Sequence, residues 1–84
     1  MTSEGKPAQL KPVEIVNSKG MLCPLPVFKT KQAIMRIKAD EVIEVLATDP
    51  QAENDITSWV RRNGHELILI TNENGLLRFL IRKG

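Results

Sequence analysis

Val42-Ile43-Glu44-Val45-Leu46-Ala47, followed by Thr48-Asp49-Pro50, is the stretch on which the fold turns. The first part is a strand of near-continuous apolar character. Such strands tend to be central and to pair in parallel, because both of their faces are covered. Thr48-Asp49-Pro50 then starts a helix. Asp49 or Thr48 is its N-cap, and Pro50 sits in the first turn, where a missing N–H costs nothing. Ala52, Ile56, Trp59 and Val60 recur at helical spacing and form a buried stripe. Asn63-Gly64 ends the helix, with Gly64 suited to the left-handed position just past its end.

Upstream of the central strand, Pro24 to about Ala39 also reads as a helix. Val27, Ile34 and Ile37, with Phe28 and Met35 beside them, fall on one broad face. Lys29, Lys31, Arg36 and Lys38 take most other positions. Val13-Glu14-Ile15-Val16 is β-branched and short, a first strand, and Asn17-Ser18-Lys19-Gly20 is a loop. Residues 1–12, with Ser3, Gly5, Pro7 and Pro12, read as a flexible lead-in to a single domain over 13–84. Downstream, His65 to Asn72 and Leu76 to Arg82 are strands joined at Asn74-Gly75, the strongest short hairpin signal. Leu77, Phe79 and Ile81 alternate with Arg78 and Arg82, which gives the last strand a dry face and a wet one. The order is β-α-β-α-β-β. Right-handed crossovers then place both helices on one face of a four-stranded mixed sheet, an α/β (α+β) two-layer sandwich. The second face of that sheet is open unless a partner or a second copy covers it.

Composition agrees. The chain has 84 residues, 42% hydrophobic, 26% charged and 4% aromatic, which fits one small globular domain and excludes a disordered or collagen-like chain. A chain this short buries only about 60% of its unfolded surface, so chemistry belongs at an edge or in a shallow groove. A formal charge of +2 is far from that of a dedicated nucleic-acid arm, and no direct nucleic-acid contact is expected. One cysteine and one histidine exclude an internal disulfide, a CxxC pair and a Cys-rich zinc site, so neither metal nor cofactor is expected. An unpaired thiol suits a reducing compartment. The N-terminus has no apolar h-region, and the longest aliphatic run, Leu67-Ile68-Leu69-Ile70, is far short of a bilayer span. The expected location is the cytoplasm, with no membrane partner.

The chemistry gathers at Met21-Leu22-Cys23-Pro24-Leu25-Pro26. A proline after Cys23 drives it to the extended conformation of an N-cap. Pro24 then takes N1 and Pro26 takes N3, where absent N–H groups matter little. Leu25 at N2 keeps its N–H and can aim it at the sulfur. The helix dipole lowers a thiol pKa, Lys19 and Lys29 add positive charge nearby, and apolar Met21, Leu22 and Leu25 oppose ionisation. The balance is a moderately activated thiol. A free cysteine is more often a small buried hydrophobe, and on position alone both readings stay open. His65 opens the third strand, which should run parallel to the first. It therefore lies at the sheet edge opposite Cys23 and is not its base. Thr48-Asp49-Pro50 and Glu73-Asn74-Gly75 share the edge with Cys23, with Asp49 acting as a cap. Arg61, Arg62, Arg78, Arg82 and Lys83 read as solvated surface, and Trp59 as core rather than a stacking platform.

At these residues the sequence resembles the TusA/SirA family of small sulfur-carrier proteins. The likeness is carried by Gly20-Met21-Leu22-Cys23-Pro24-Leu25-Pro26, with its Cys-Pro-x-Pro motif, by Asp49-Pro50, and by Trp59-Val60-Arg61-Arg62-Asn63-Gly64-His65. It runs over about residues 13 to 82. Two positions depart from the pattern: Asn17 stands where the family commonly has Asp, and Leu25 where several members are acidic. The resemblance implies sheet order 1-2-4-3 with the last strand antiparallel, as in an initiation-factor C-terminal domain. It implies that Cys23 accepts sulfane sulfur as a persulfide from a cysteine desulfurase or rhodanese-type donor. It further implies delivery to an acceptor protein in tRNA thiolation, molybdenum cofactor supply or sulfur oxidation, or a link to thiosulfate uptake or selenium. The expected reading is a sulfur carrier or sulfurtransferase-type relay, monomeric or weakly dimeric. Cys23 carries the sulfur, supported by Gly20, Pro24, Leu25 and Pro26, with a docking rim of Lys19, Met21, Leu22 and Leu25. The alternative is a non-catalytic RNA- or protein-binding module on the same fold.

Overall fold

The computed structural model describes residues 11–84, so the lead-in expected over residues 1–12 lies almost wholly outside the described residues. Pro12 itself belongs to the domain. It opens strand β1 (Pro12–Ser18), which is followed by helix α1 (Leu25–Arg36), β2 (Val42–Ala47), α2 (Gln51–Arg62), β3 (Glu66–Glu73) and β4 (Leu76–Arg82). The sheet order is β1-β2-β4-β3. β2 pairs in parallel with β1 and antiparallel with β4, and β3 pairs antiparallel with β4. The apolar run at Val42 to Ala47 thus occupies the middle of the sheet, as its composition requires.

Alternation sets the faces. Leu77, Phe79 and Ile81 of β4 are buried under the helices with Val45 of β2. Ile56 and Val60 of α2 and Ile34 of α1 close the layer above them. The opposite face of the sheet leaves Val13, Ile15 and Leu69 exposed. Two ion pairs cross it, Glu44 with Arg78 at 2.8 Å and Glu66 with Arg82 at 3.3 Å. Those pairs give Arg78 and Arg82 acidic partners on this face.

Turn and cap chemistry explains the borders. The β3–β4 turn uses positive φ at both Asn74 (+55°) and Gly75 (+89°), as a two-residue hairpin requires. At the end of α2 the His65 N–H donates to Val60 O at 3.0 Å and the Gly64 N–H to Arg61 O at 3.2 Å, a Schellman closure. Pro50 already has helical angles (φ −56°, ψ −30°). The Gln51 N–H donates to Asp49 Oδ1 at 3.0 Å, so Asp49 caps α2.

Helix α1 departs from its expected form in two ways. It stops at Arg36 rather than near Ala39, because Ile37 turns extended. The Lys38 N–H donates to Glu41 Oε1 at 2.8 Å, and Lys83 Nζ donates to Ile37 O at 2.7 Å, so both groups have partners outside the helix. Its buried side is also displaced. Pro26, Thr30, Ala33 and Ile34 face the sheet, whereas Phe28 (54%) and Met35 (71%) are exposed. Thr30 is tolerated in the core because its Oγ1 donates to Pro26 O at 2.8 Å, which leaves no unpaired hydroxyl. Asn17 and Ser18, read from sequence as loop, instead extend β1 and pair with Leu46 and Ala47.

Candidate functional site around Cys23

Two parallel strands, β1 and β2, end side by side, and the loops that leave them are joined by hydrogen bonds. The chain turns at Lys19-Gly20, where the Met21 N–H donates to Ser18 O at 3.1 Å. Gly20 holds φ at +80°, which a β-carbon would oppose. The Gly20 N–H donates to Thr48 Oγ1 at 2.9 Å. Asn17 Oδ1 accepts the Lys19 N–H at 3.1 Å, so an amide at this position still closes the turn. The Cys23 N–H donates to Asp49 Oδ2 at 2.8 Å. One carboxylate therefore caps α2 through Oδ1 and anchors the cysteine backbone through Oδ2. These two donated N–H groups hold the Asp49 carboxyl below the usual carboxylate range. Sequence reasoning gave Asp49 only the capping half of this role.

The helix begins one residue later than the prolines suggested. Pro24 is the N-cap, joined to Cys23 by a cis peptide bond, and Leu25 and Pro26 are the first two helical residues. The Val27 and Phe28 N–H groups both donate to Pro24 O, at 3.0 and 3.2 Å. Cys23 thus lies just outside the helix. The Leu25 N–H donates to Leu22 O at 3.0 Å and is not aimed at the sulfur.

The electrostatics of the sulfur reverse the sequence expectation. Cys23 is half-buried against the edge of the core. Its thiol is pushed up to about 12, first by desolvation, next by the Asp55 carboxylate as hydrogen-bond partner and as charge, then by Asp49. The charges that act are the acidic ones of Asp55 and Asp49. The resting group is a neutral thiol rather than a moderately activated one. Asp55 is the residue that sequence reasoning missed. Its place one turn before Trp59 on α2 was legible, but the packing of α2 beside the start of α1 was not.

Around the sulfur, Leu22 (72%) and Leu25 (49%) are exposed, Met21 is half-buried, and Lys19 is exposed. Pro24 is exposed and Pro26 fully buried, so the second proline anchors the helix start to the core. From Pro24, the residue after Cys23, runs an open groove of about 320 Å³. Pro24 and Val27 form one wall, and Asp55, Ser58, Trp59 and Arg62 of α2 form the other. His65 immediately precedes β3, at the end of the sheet opposite Cys23. There its Nδ1 accepts the Gly84 N–H at 3.0 Å, and its ring lies 5.4 Å from that of Trp59. Burial and then Lys83 lower its pKa. Among the described residues no group of three His, Cys, Asp or Glu side chains is placed to hold a metal ion.

Comparison with known proteins follows this geometry. The family model of sulfurtransferase TusA matches residues 14–83. The Bacillus subtilis protein YrkI is 39% identical over 75 residues, which is 89% of this chain and 100% of YrkI. Sulfur carrier protein TusA of Allochromatium vinosum is 32% identical over 68 residues, 81% of this chain and 90% of that one. The crystal structure of a SirA-like protein from Desulfitobacterium hafniense superposes with a TM-score of 0.76 at 20% identity, over 84% of this chain and 97% of that one, and shares its fold.

Proposed function

Because this chain belongs to the TusA sulfurtransferase family, we propose that it is a sulfur carrier in which Cys23 holds sulfane sulfur as a persulfide. The Cys23 sulfur attacks the outer sulfur of a donor persulfide, and the donor's S–S bond breaks. The electron pair stays on the donor's inner sulfur, which takes up the proton that Cys23 gives up. Transfer to an acceptor thiol repeats the exchange with Cys23 as leaving group. Exchange of this kind needs an approachable sulfur and no deep cavity.

The observation that supports the reading most is the placement of Cys23. It is half-buried, its neighbour Pro24 lines an open groove, and its loop is fixed from both sides by Thr48 and Asp49. Leu22 and Leu25, with Met21 and Lys19, form the docking rim for a donor of the cysteine desulfurase or rhodanese type and for the acceptor. Both partners share one rim, because the chain has one cysteine and no resolving thiol. The neutral resting thiol gives the partner a role. Docking must relieve the hold of Asp55 and Asp49 before Cys23 reacts. Acceptors in tRNA thiolation, molybdenum cofactor supply or sulfur oxidation fit the same chemistry, and a cytoplasmic setting suits the free thiol.

Incubation with a persulfide donor followed by intact-mass measurement tests the reading. Wild type should gain one sulfur atom that a reductant removes, and Cys23→Ser should gain none. No gain on wild type, or equal gain on Cys23→Ser, contradicts it.

A further inference from the structure

The groove that starts at Pro24 has two charged ends, Asp55, which also partners the Cys23 thiol, and Arg62. Asp55, Ser58, Trp59 and Arg62 stand at i, i+3, i+4 and i+7 on α2 and share one helix face. Asp55 and Arg62 lie about 10.5 Å apart along the helix axis. Long helical side chains lean back toward the N-terminus, which shortens the span between an Arg62 guanidinium and Asp55. Neither residue takes part in an ion pair among the described residues. A volume of about 320 Å³ is at the low end for small-molecule sites, about 300–1,000 Å³. An anion on Arg62, a cation on Asp55, a hydroxyl from Ser58 and a sulfur next to Cys23 together describe one ligand class.

We propose that this groove binds the zwitterionic head of a small amino-acid persulfide, with its carboxylate on Arg62 and its ammonium on Asp55. The carrier then loads directly from a low-molecular-weight donor such as cysteine persulfide. This rests on the sulfur-carrier reading above and extends it to a substrate that is not a protein. The step balances. Cys23 Sγ bonds to the outer sulfur of the ligand and the ligand's S–S bond breaks. Its electron pair goes to the inner sulfur, and the Cys23 proton passes to that sulfur, which leaves as free cysteine. The sulfane sulfur keeps its oxidation state, so no oxidant or reductant is needed. Binding also assists the reaction. An ammonium on Asp55 cancels the negative charge that opposes the Cys23 thiolate.

Trp59 is the single tryptophan and reports on the groove directly. S-methylcysteine, which is inert to transfer, should change its fluorescence saturably. The N-acetyl and methyl-ester derivatives should bind at least about tenfold more weakly, and Arg62→Gln should raise half-saturation about tenfold, the loss expected for one charged hydrogen bond. Arg62→Lys should restore part of it. No saturable change, or equal response to the blocked derivatives, overturns the proposal. A loading arm reads sulfur on Cys23 by intact mass. The ratio of rates for cysteine persulfide over the uncharged persulfide of mercaptoethanol should fall about tenfold in Arg62→Gln, again the scale of one charged hydrogen bond. Glutathione persulfide, whose amino-acid head lies far from its sulfur, should behave as the uncharged donor does. An unchanged ratio, or Arg62-dependent saturation with glutathione persulfide alone, overturns the assignment. Loading from a protein donor, together with an Arg62-independent rate for cysteine persulfide, leaves the carrier standing and removes only the groove site. Failure with every donor removes both.

Discussion

The sulfur of Cys23 is desolvated at the edge of the core and lies within reach of two carboxylates, and together these keep its proton on. Below about pH 12 the thiol keeps its proton, so its thiolate fraction rises about tenfold per pH unit across the neutral and mildly alkaline range. Iodoacetamide alkylation should therefore keep accelerating through pH 10 with no plateau. Asp55→Asn should speed alkylation at pH 8 by about tenfold, the equivalent of one pKa unit. A plateau near pH 8.5 in wild type would show an ordinary thiol and remove the role given to Asp55. The pairing of Cys with two prolines did locate this residue in the sequence. Its ionisation was only partly legible: the apolar surround that opposes it is local, but the added charges come from Asp49 and Asp55, some 26 and 32 positions along the chain. Local reasoning about a helix start sees the dipole and not a carboxylate delivered by the next helix.

Among the elements, the two loops at the C-terminal ends of β1 and β2 behave as one unit through Asp49. Asp49→Ala removes the acceptor for the Cys23 and Gln51 N–H groups together. Amide exchange at both residues should accelerate by at least about tenfold, the equivalent of one hydrogen bond of about 1.4 kcal/mol, while exchange in β4 stays slow. Acceleration at Gln51 alone would show that the cap and the cysteine anchor are separate. At the other end of α2, Gly64 has φ +78°. Gly64→Ala should lower stability by about 1–2 kcal/mol, the cost of a β-carbon in the left-handed region, as read from the urea midpoint. Both ends of α2 and the buried Ala52, Ile56 and Val60 of its stripe were legible, since cap, periodicity and stop signal agree, whereas Trp59, expected in the core, is only half-buried and lines the groove. In α1 they disagree. Leu25-Pro26-Val27-Phe28 and Ile34-Met35-Arg36-Ile37 offer apolar residues on two sides, and only tertiary packing chooses the side of Pro26, Thr30 and Ala33.

For the whole molecule, a two-layer sandwich this small has one core and little reserve. Phe79 is fully buried in β4, beneath the helices. Phe79→Ala should cost about 3–5 kcal/mol, comparable with the whole stability of a small domain. Its thermal unfolding should lose cooperativity, whereas Phe79→Leu should keep a single transition. His65 adds a pH dependence. Its folded pKa is lowered, so the unfolded chain binds the proton more readily. Stability should then fall as pH drops from about 6.5 toward the lower folded value, and His65→Gln should flatten that window in urea titrations. The opposite slope would contradict the burial of the ring. The architecture was legible at this scale because strand, cap and hairpin signals all point the same way.

A sulfur carrier must pass on what Cys23 takes up. The most direct measurement loads the protein with radiolabelled sulfur from a persulfide donor, removes the donor, and adds an acceptor protein thiol. The label should sit on wild type before the addition, move to the acceptor after it, and be absent throughout from Cys23→Ser. Label that never reaches Cys23, or that stays there when the acceptor arrives, would contradict a carrier.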